Sequence, residues 1–207
     1  MKIKKLADMC KRAGVFCLYD RVNSEGEVVE QWMGTYAAAY PLTGLPHLTT
    51  ENLAALFDIT EKQLTEKISI RHERLPEGLN YGHTDEGEVM LDREIVTLGY
   101  GGKIVRPLIT RGGLEFINDD FLSPLADVAD MLELYERIST VGRTYFAAKV
   151  GLMIVGVIMP MNIVDERLVD HMETLAGKCR AALAVKEERE RRRDEERDGQ
   201  TSLEEEG

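Results

Sequence analysis

Three times along this chain, a short apolar strand leads through a polar corner into an amphipathic helix. The three strand–helix pairs are 36–40 with 49–57, 114–118 with 125–138, and 152–159 with 164–185. Short apolar runs bounded by Gly, Pro or Asn are typical of strands, and apolar residues spaced by three and four are typical of helices. The pattern therefore predicts sheets covered by helices over residues 1–185.

The N-terminal part of the chain adds an opening helix and a meander. Ile3, Leu6 and Cys10 lie on one face of a helix that Gly14 ends. The apolar patterns that follow predict strands at 15–19, 28–32, 35–40 and 69–75. They also predict a helix at 61–68. Periodicity is then lost from Pro76 to Gly87, which indicates a linker or a functional surface loop.

The C-terminal part begins with a second meander. Its strands are predicted at 94–98, 103–110 and 114–118, and a later hairpin at 143–149 and 152–159. Ser123 is an expected N-cap and Pro124 an expected first residue for the helix that follows. The predicted class is α+β with two similar halves of antiparallel sheet and covering helices. The predicted parts are the half 1–75, the loop 76–87, the half 88–185 and the charged tail 186–207, either a helix extension or disordered.

The charge balance narrows the class of partner. The 207 residues carry a net charge of −11, and the tail from residue 186 holds six cations and ten anions, or −4. The body therefore holds −7, which argues against a general binder of nucleic-acid backbones. An acidic surface serves solubility, or it meets a basic partner such as an enzyme of nucleic acids.

The chain has the features of a cytoplasmic protein. Its longest apolar stretch, 150–161, is too short for a membrane span and contains two glycines and a proline. No apolar segment of the kind found in signal peptides follows the N-terminal lysines. Cys10, Cys17 and Cys179 lie within apolar patterns, which predicts buried free thiols in a reducing compartment.

Candidate catalytic groups are few. The four histidines are His47, His72, His83 and His171. No two of them have metal-ligand spacing, so neither a metal nor a cofactor is expected. His83 lies near Asp85 and Glu86 in the 76–87 loop, where it is either an acid–base group or a solvated side chain. The glycines at 99–102 lead into a strand, which indicates a hairpin and not a phosphate loop.

Two segments are candidates for partner binding. Arg71, His72 and Arg74 form the densest cationic patch of the body. Cations on the second meander, at Lys103, Arg106 and Arg111, would extend it into a basic face. Alternating exposed strand positions are the simpler interpretation. Residues 200–203, Gln-Thr-Ser-Leu, resemble the peptide that docks DNA-metabolism proteins on bacterial sliding clamps, with Gln200 and Leu203 as its anchors and Glu204 in place of an aromatic.

Resemblances that cover longer parts of the chain also indicate a link to DNA metabolism. The repeated meander and helix resemble the repeat unit of DNA sliding clamps, and residues 157–161 are similar to the closing strand of the bacterial clamp. Residues 32–34, 40–46, 122–125 and 133–137 resemble uncharacterised proteins of phages and prophages of gut Firmicutes. This resemblance implies a role in phage DNA metabolism or in suppression of host defence.

Three functions follow as expectations. The first is a non-catalytic intracellular protein of a mobile element that binds a protein of nucleic-acid metabolism. The second is an acidic inhibitor of a host defence nuclease, which mimics nucleic acid. The third is a small enzyme that uses the 76–87 loop, with His83 as base.

Overall fold

A computed structural model describes residues 1–92 and 96–205, with side chains through residue 194. The helices are α1 (Ile3–Ala13), α2 (Thr50–Leu56), α3 (Glu61–Glu66) and α4 (Glu166–Glu205). The strands are β1 (Val15–Val22), β2 (Val28–Gly34), β3 (Ala38–Pro41), β4 (Ser69–Arg74), β5 (Val89–Met90), β6 (Leu98–Tyr100), β7 (Lys103–Thr110), β8 (Gly113–Asn118), β9 (Leu132–Ile138), β10 (Thr144–Val150) and β11 (Met153–Ile158). Two compact units divide the chain, Met1–Asn162 and the residues from Ile163 onward.

The first unit contains both sheets. Eight strands form a mixed sheet in the order β4-β1-β2-β3-β11-β10-β9-β5, and three form a second sheet in the order β6-β7-β8. All neighbours are antiparallel except β1 and β4, which are parallel over six residue pairs. The predicted α+β class is confirmed.

Strands from both predicted halves lie together in the eight-stranded sheet. β3, from the first meander, pairs with β11 through Ala38↔Ile158 and Ala39↔Val157. The second meander supplies the separate sheet of β6, β7 and β8. Of its first predicted strand, 94–98, residues 94 and 95 lie outside the described residues, and β6 begins at Leu98.

The opening helix forms as its sequence predicts. Leu6 and Cys10 of α1 are fully buried, and Gly14 ends the helix in the left-handed conformation, with φ of 70°. Burial raises the pKa of the Cys10 thiol to about 12, so this side chain is an inert part of the core. Both short helices begin with complete capping boxes, at Thr49 and Thr60.

The turn between β2 and β3 is unusually tight. Gly34 ends β2, and the Thr35 N–H donates to the Ala38 carbonyl oxygen at 2.7 Å. A Cβ atom on Gly34 would lie 1.9 Å from that same oxygen. Only glycine therefore fits where the chain reverses.

The prediction of a helix at 125–138 is wrong. Short 3-10 turns occupy Asp119–Leu125 and Ala129–Met131, and β9 follows. β9 pairs with β10 along its whole length and with β5 at its other edge, and this tertiary pairing overrides the helical spacing of its apolar residues. Ser123 is not an N-cap, because it lies inside the 3-10 turn, which is capped by Asn118 through a hydrogen bond from the Asp120 N–H.

The second unit is dominated by α4, which is 40 residues long. Asp165 caps it by accepting from the Leu168 N–H at 2.8 Å. The backbone is helical through the charged run to Glu205. Cys179 is exposed on α4, so the prediction that it is buried was wrong. Among the described helices, none is both long and apolar enough to cross a membrane.

Candidate functional site

A carboxylate on β1 gathers side chains from three other parts of the first unit. Asp20 Oδ2 lies 2.7 Å from Nε2 of His72 on β4, and Asp20 Oδ1 accepts from Gln31 Nε2 of β2 at 2.8 Å. His47, in the loop after β3, places Nε2 3.7 Å from Asp20 Oδ1. We call Asp20, Gln31, His47 and His72 the Asp20 cluster.

Sheet topology assembles the Asp20 cluster. β1 is flanked by β2 and β4, and Asp20 is paired in register with Gln31 on one side and with Arg74 on the other. His72 lies two residues before Arg74, on the same face of β4, and so reaches the carboxylate diagonally.

The Asp20–His72 contact selects one ring nitrogen of His72 as the donor. An ionised carboxylate only accepts hydrogen bonds, so Nε2 of His72 donates to Asp20, and the neutral tautomer that fits this contact has its lone pair on Nδ1. This arrangement orients an imidazole in the way that carboxylates orient catalytic histidines. It also ties the side chain of the edge strand β4 to its neighbour β1.

Gln31 anchors the segment that carries His47. Its Oε1 accepts from the Leu48 N–H at 2.8 Å, and its Nε2 donates to the Leu48 carbonyl oxygen at 3.0 Å. The two bonds fix which end of the amide is oxygen, and Nε2 lies 3.2 Å from His47 Nε2. Gln31 is 8% exposed, so this polar group is satisfied within the fold.

The Asp20 cluster is open to solvent. The side chains of Asp20, His72 and His47 are 15, 32 and 48% exposed. A depression of about 510 Å³ has Gln31, His47, His83 and Met153 among its lining residues. The structure thus brings His83 and His47 to one surface, a juxtaposition that sequence reasoning missed.

The 76–87 loop is held by a buried charge network. Arg137 is fully buried and donates to the carbonyl oxygens of Asn80 and Gly82 at 2.8 and 2.9 Å. Its Nε and Nη2 donate to Glu88 Oε2 at 2.9 and 2.5 Å, and Lys149 Nζ lies 2.6 Å from Glu88 Oε1. The loop is therefore a fixed part of the fold.

Glu88 is ionised within this network. Burial raises the pKa of its carboxyl, but the hydrogen bonds from Lys149 and Arg137 outweigh burial and leave the pKa below its ordinary value. His83 is also fixed, because its Nδ1 accepts from the Ile154 N–H at 3.3 Å. The neutral ring of His83 therefore carries its proton on Nε2.

The cations that would extend the basic patch do not join it. Arg71 and Arg74 are exposed on β4, at the edge of the eight-stranded sheet. The other three, Lys103, Arg106 and Arg111, belong to β7 and the hairpin that follows it. Arg106 Nη2 lies 2.7 Å from Asp119 Oδ1, and Arg111 Nε lies 3.2 Å from Glu136 Oε2. These carboxylates offset the charge that a basic face would need.

A larger depression lies elsewhere in the first unit. It measures about 760 Å³ and is lined by the end of α1, the hairpin of β6 and β7, and the turn after β8. Arg12 spans part of it with two bonds to Asp120, Nη2 to Oδ1 at 2.5 Å and Nε to Oδ2 at 3.1 Å. None of its described lining residues is a histidine, whereas the Asp20 cluster combines a carboxylate with two imidazoles and is the better candidate site.

The two tail residues, Gln200 and Leu203, lie on the backbone of α4, and their side chains are outside the described part of the chain. Within the described residues, no group of three or more His, Cys, Asp or Glu side chains is arranged to hold a metal ion. No family model, curated protein or solved structure matches this chain.

Proposed function

We propose that the protein is a non-catalytic binding protein and that an extended segment of a partner protein pairs with the edge strand β4. The partner proposed is a protein of nucleic-acid metabolism. The observation that carries the proposal is the open edge of the eight-stranded sheet, which presents Arg74 on the face of the Asp20 cluster and Arg71 on the opposite face.

β4 has the geometry of a receiving edge. Within the described residues it pairs with β1 alone, and five of its six residues are exposed. An edge strand presents unpaired N–H and C=O groups, with which an added strand forms main-chain hydrogen bonds. Such bonds supply affinity, and the side chains along the edge supply specificity.

The edge is held in place before any partner arrives. The Ser69 N–H donates to the Gly14 carbonyl oxygen at 3.0 Å, and the Leu75 N–H donates to that of Asp20 at 3.0 Å. The His72–Asp20 bond adds a side-chain tie in the middle of the strand. A fixed edge loses little conformational entropy on binding.

The charges on β4 select the partner. Arg71 and Arg74 outnumber Glu73, the one carboxylate on this strand, and the remaining positive charge repels the like edge of a second copy and attracts a segment with carboxylates. The resemblance to phage proteins supports a partner from nucleic-acid metabolism, and the net charge of −11 supports a protein rather than a nucleic acid.

Charge reversal on the edge tests this proposal. The double variant Arg71→Glu/Arg74→Glu is compared with Lys4→Glu/Lys5→Glu, which makes the same charge change at exposed positions of α1. Proteins captured from a bacterial lysate are identified by mass spectrometry. We expect the wild type and the α1 variant to enrich the same nucleic-acid-processing protein, and the β4 variant to lose it. Enrichment by all three forms, or by none, would refute the proposal.

A second candidate function is acid–base catalysis in the depression between His47 and His83. The two imidazoles and the fixed loop line one open cavity of about 510 Å³. Activated esters and phosphodiesters are suitable probes. The enzyme function requires that His83→Ala and His47→Ala each lower hydrolysis by about a hundredfold, while His171→Ala leaves it unchanged. Equal rates in all four proteins would rule it out.

A further inference from the structure

α4 exposes an apolar stripe over its first half. Leu168, Met172, Leu175, Cys179 and Leu183 are separated by four, three, four and four residues, so they follow one face of the helix. Met172, Leu175 and Leu183 are 39, 52 and 55% exposed, and Cys179 is exposed as well. A continuous exposed stripe of this kind is typical of a helix that pairs with another helix.

Charge is unevenly distributed along the same helix. Residues 165–173 carry four carboxylates and one arginine, or −3. Residues 178–193 carry seven cations and three carboxylates, or +4. The two segments lie at opposite ends of the apolar stripe. One helix therefore carries an acidic segment and a basic segment of complementary charge.

We propose that α4 pairs in antiparallel orientation with α4 of a second copy of this chain. In that orientation the acidic segment of each copy faces the basic segment of the other, while the apolar stripes meet between them. A parallel pair would set acidic segment against acidic segment and basic against basic. The interface is isologous, because the same surface of both copies is used and a two-fold axis relates them.

The second copy is the occupant that the charge pattern favours over an unrelated helix. Self-complementarity requires opposite charges at both ends of one stripe, and α4 has them. A surface made for a uniformly charged partner helix would carry one sign along its length. This inference is separate from the β4 edge, since the two surfaces share no residue.

Matched substitutions inside and outside the apolar stripe of α4 test the pairing. Leu175→Glu places a charge in the stripe, whereas Thr174→Glu places the same charge about 100° away around the helix axis, on the polar side. Sedimentation velocity over a range of concentrations measures the self-association. We expect a dimer for the wild type and for Thr174→Glu, and at least about a tenfold higher dissociation constant for Leu175→Glu.

Two results of that experiment would overturn the proposal. One is a wild-type protein that stays monomeric at every concentration, and the other is a dimer that Leu175→Glu leaves unchanged. Circular dichroism of both variants checks that α4 stays helical. A dimer that weakens as salt rises supports the charge pairing, since screening reduces attraction between exposed charges.

Cross-linking tests the orientation. Leu168→Cys and Lys186→Cys are made separately in a Cys179→Ser background and treated with a short bismaleimide, alone and mixed. Antiparallel pairing predicts cross-linked dimers chiefly in the mixture, because residue 168 of one copy lies near residue 186 of the other. A parallel pair would instead give cross-linked dimers of each variant alone, and mixing the two variants would not increase the yield. That result would overturn the proposed orientation.

Discussion

Arg137 Nη2 lies 2.5 Å from Glu88 Oε2, and the Arg137 side chain is fully buried. The same guanidinium donates to two carbonyl oxygens of the 76–87 loop. One buried cation thus fastens a segment without regular structure onto β9. A buried charge is tolerated when it is paired and its remaining donors are satisfied, and both conditions hold here.

Removing the Glu88 charge should destabilise the protein strongly. Glu88→Gln removes the carboxylate that contacts both buried cations, Arg137 and Lys149, and we expect a loss of about 3 kcal/mol in the free energy of unfolding. Urea unfolding followed by tryptophan fluorescence measures it through Trp32, which is fully buried. Glu86→Gln, at an exposed position of the same loop, is the control and should be neutral. Equal stability of the two variants would contradict the network's role.

The same carboxylate should make stability depend on acid pH. The folded-state pKa of Glu88 is lowered from the ordinary 4.5, so its contribution is present above that value and is lost as pH falls through the folded pKa. The urea midpoint should therefore begin to fall as the pH drops below 4.5 and continue to fall through the lower folded-state pKa, and it should fall less steeply in Glu88→Gln. Parallel pH curves for the two proteins would show that other groups govern the acid response.

A methyl group at the β2–β3 turn should not be accommodated. Gly34→Ala sets a Cβ 1.9 Å from the Ala38 carbonyl oxygen, which belongs to the backbone and cannot rotate away. We expect a loss of about 3 kcal/mol, measured by urea unfolding. Gly99→Ala is the matched control, because no atom lies within 4 Å of the added carbon. A near-neutral Gly34→Ala would mean that the turn relaxes easily.

The Asp20 cluster makes a spectroscopic prediction. In alkaline solution, ¹⁵N NMR should show the His72 ring protonated at Nε2, because only that tautomer donates to Asp20. In Asp20→Ala, the ring should shift toward the tautomer mixture of a free histidine. His171, on α4, serves as the internal reference and should be the same in both proteins. An unchanged His72 spectrum would show that Asp20 does not select the tautomer.

Local patterns were sufficient for much of the fold. The opening helix, the strands of the first meander and the last hairpin follow the spacing of their apolar residues, and Gly14 ends α1 as expected. The failure at 125–138 has a physical cause. Its apolar residues fit a helical face, but pairing with β10 and β5 makes the strand the more stable choice, and that pairing is not visible locally.

The Asp20 cluster was beyond local reasoning. Asp20, His47 and His72 are far apart in sequence, and the parallel pairing of β1 with β4 brings two of them together. No local signal sets the register of parallel strands. One hint was present in the sequence, the cationic patch at Arg71, His72 and Arg74. It singled out the strand that carries His72, but as a basic patch and not as the partner of Asp20.

The junction of β3 with β11 has a consequence for the order of folding. Two residue pairs join these strands, and Ala38 and Ile158 are separated by most of the chain. Hairpins form quickly because their loops are short, whereas the pairing of β3 with β11 requires a long loop to close and is therefore slower. The strands on each side of the seam should therefore acquire protection from hydrogen exchange early, and the amides at the seam late. Pairing of β3 with β11 is then the last step, and it joins the strands β4-β1-β2-β3 to the strands β11-β10-β9-β5 in one sheet.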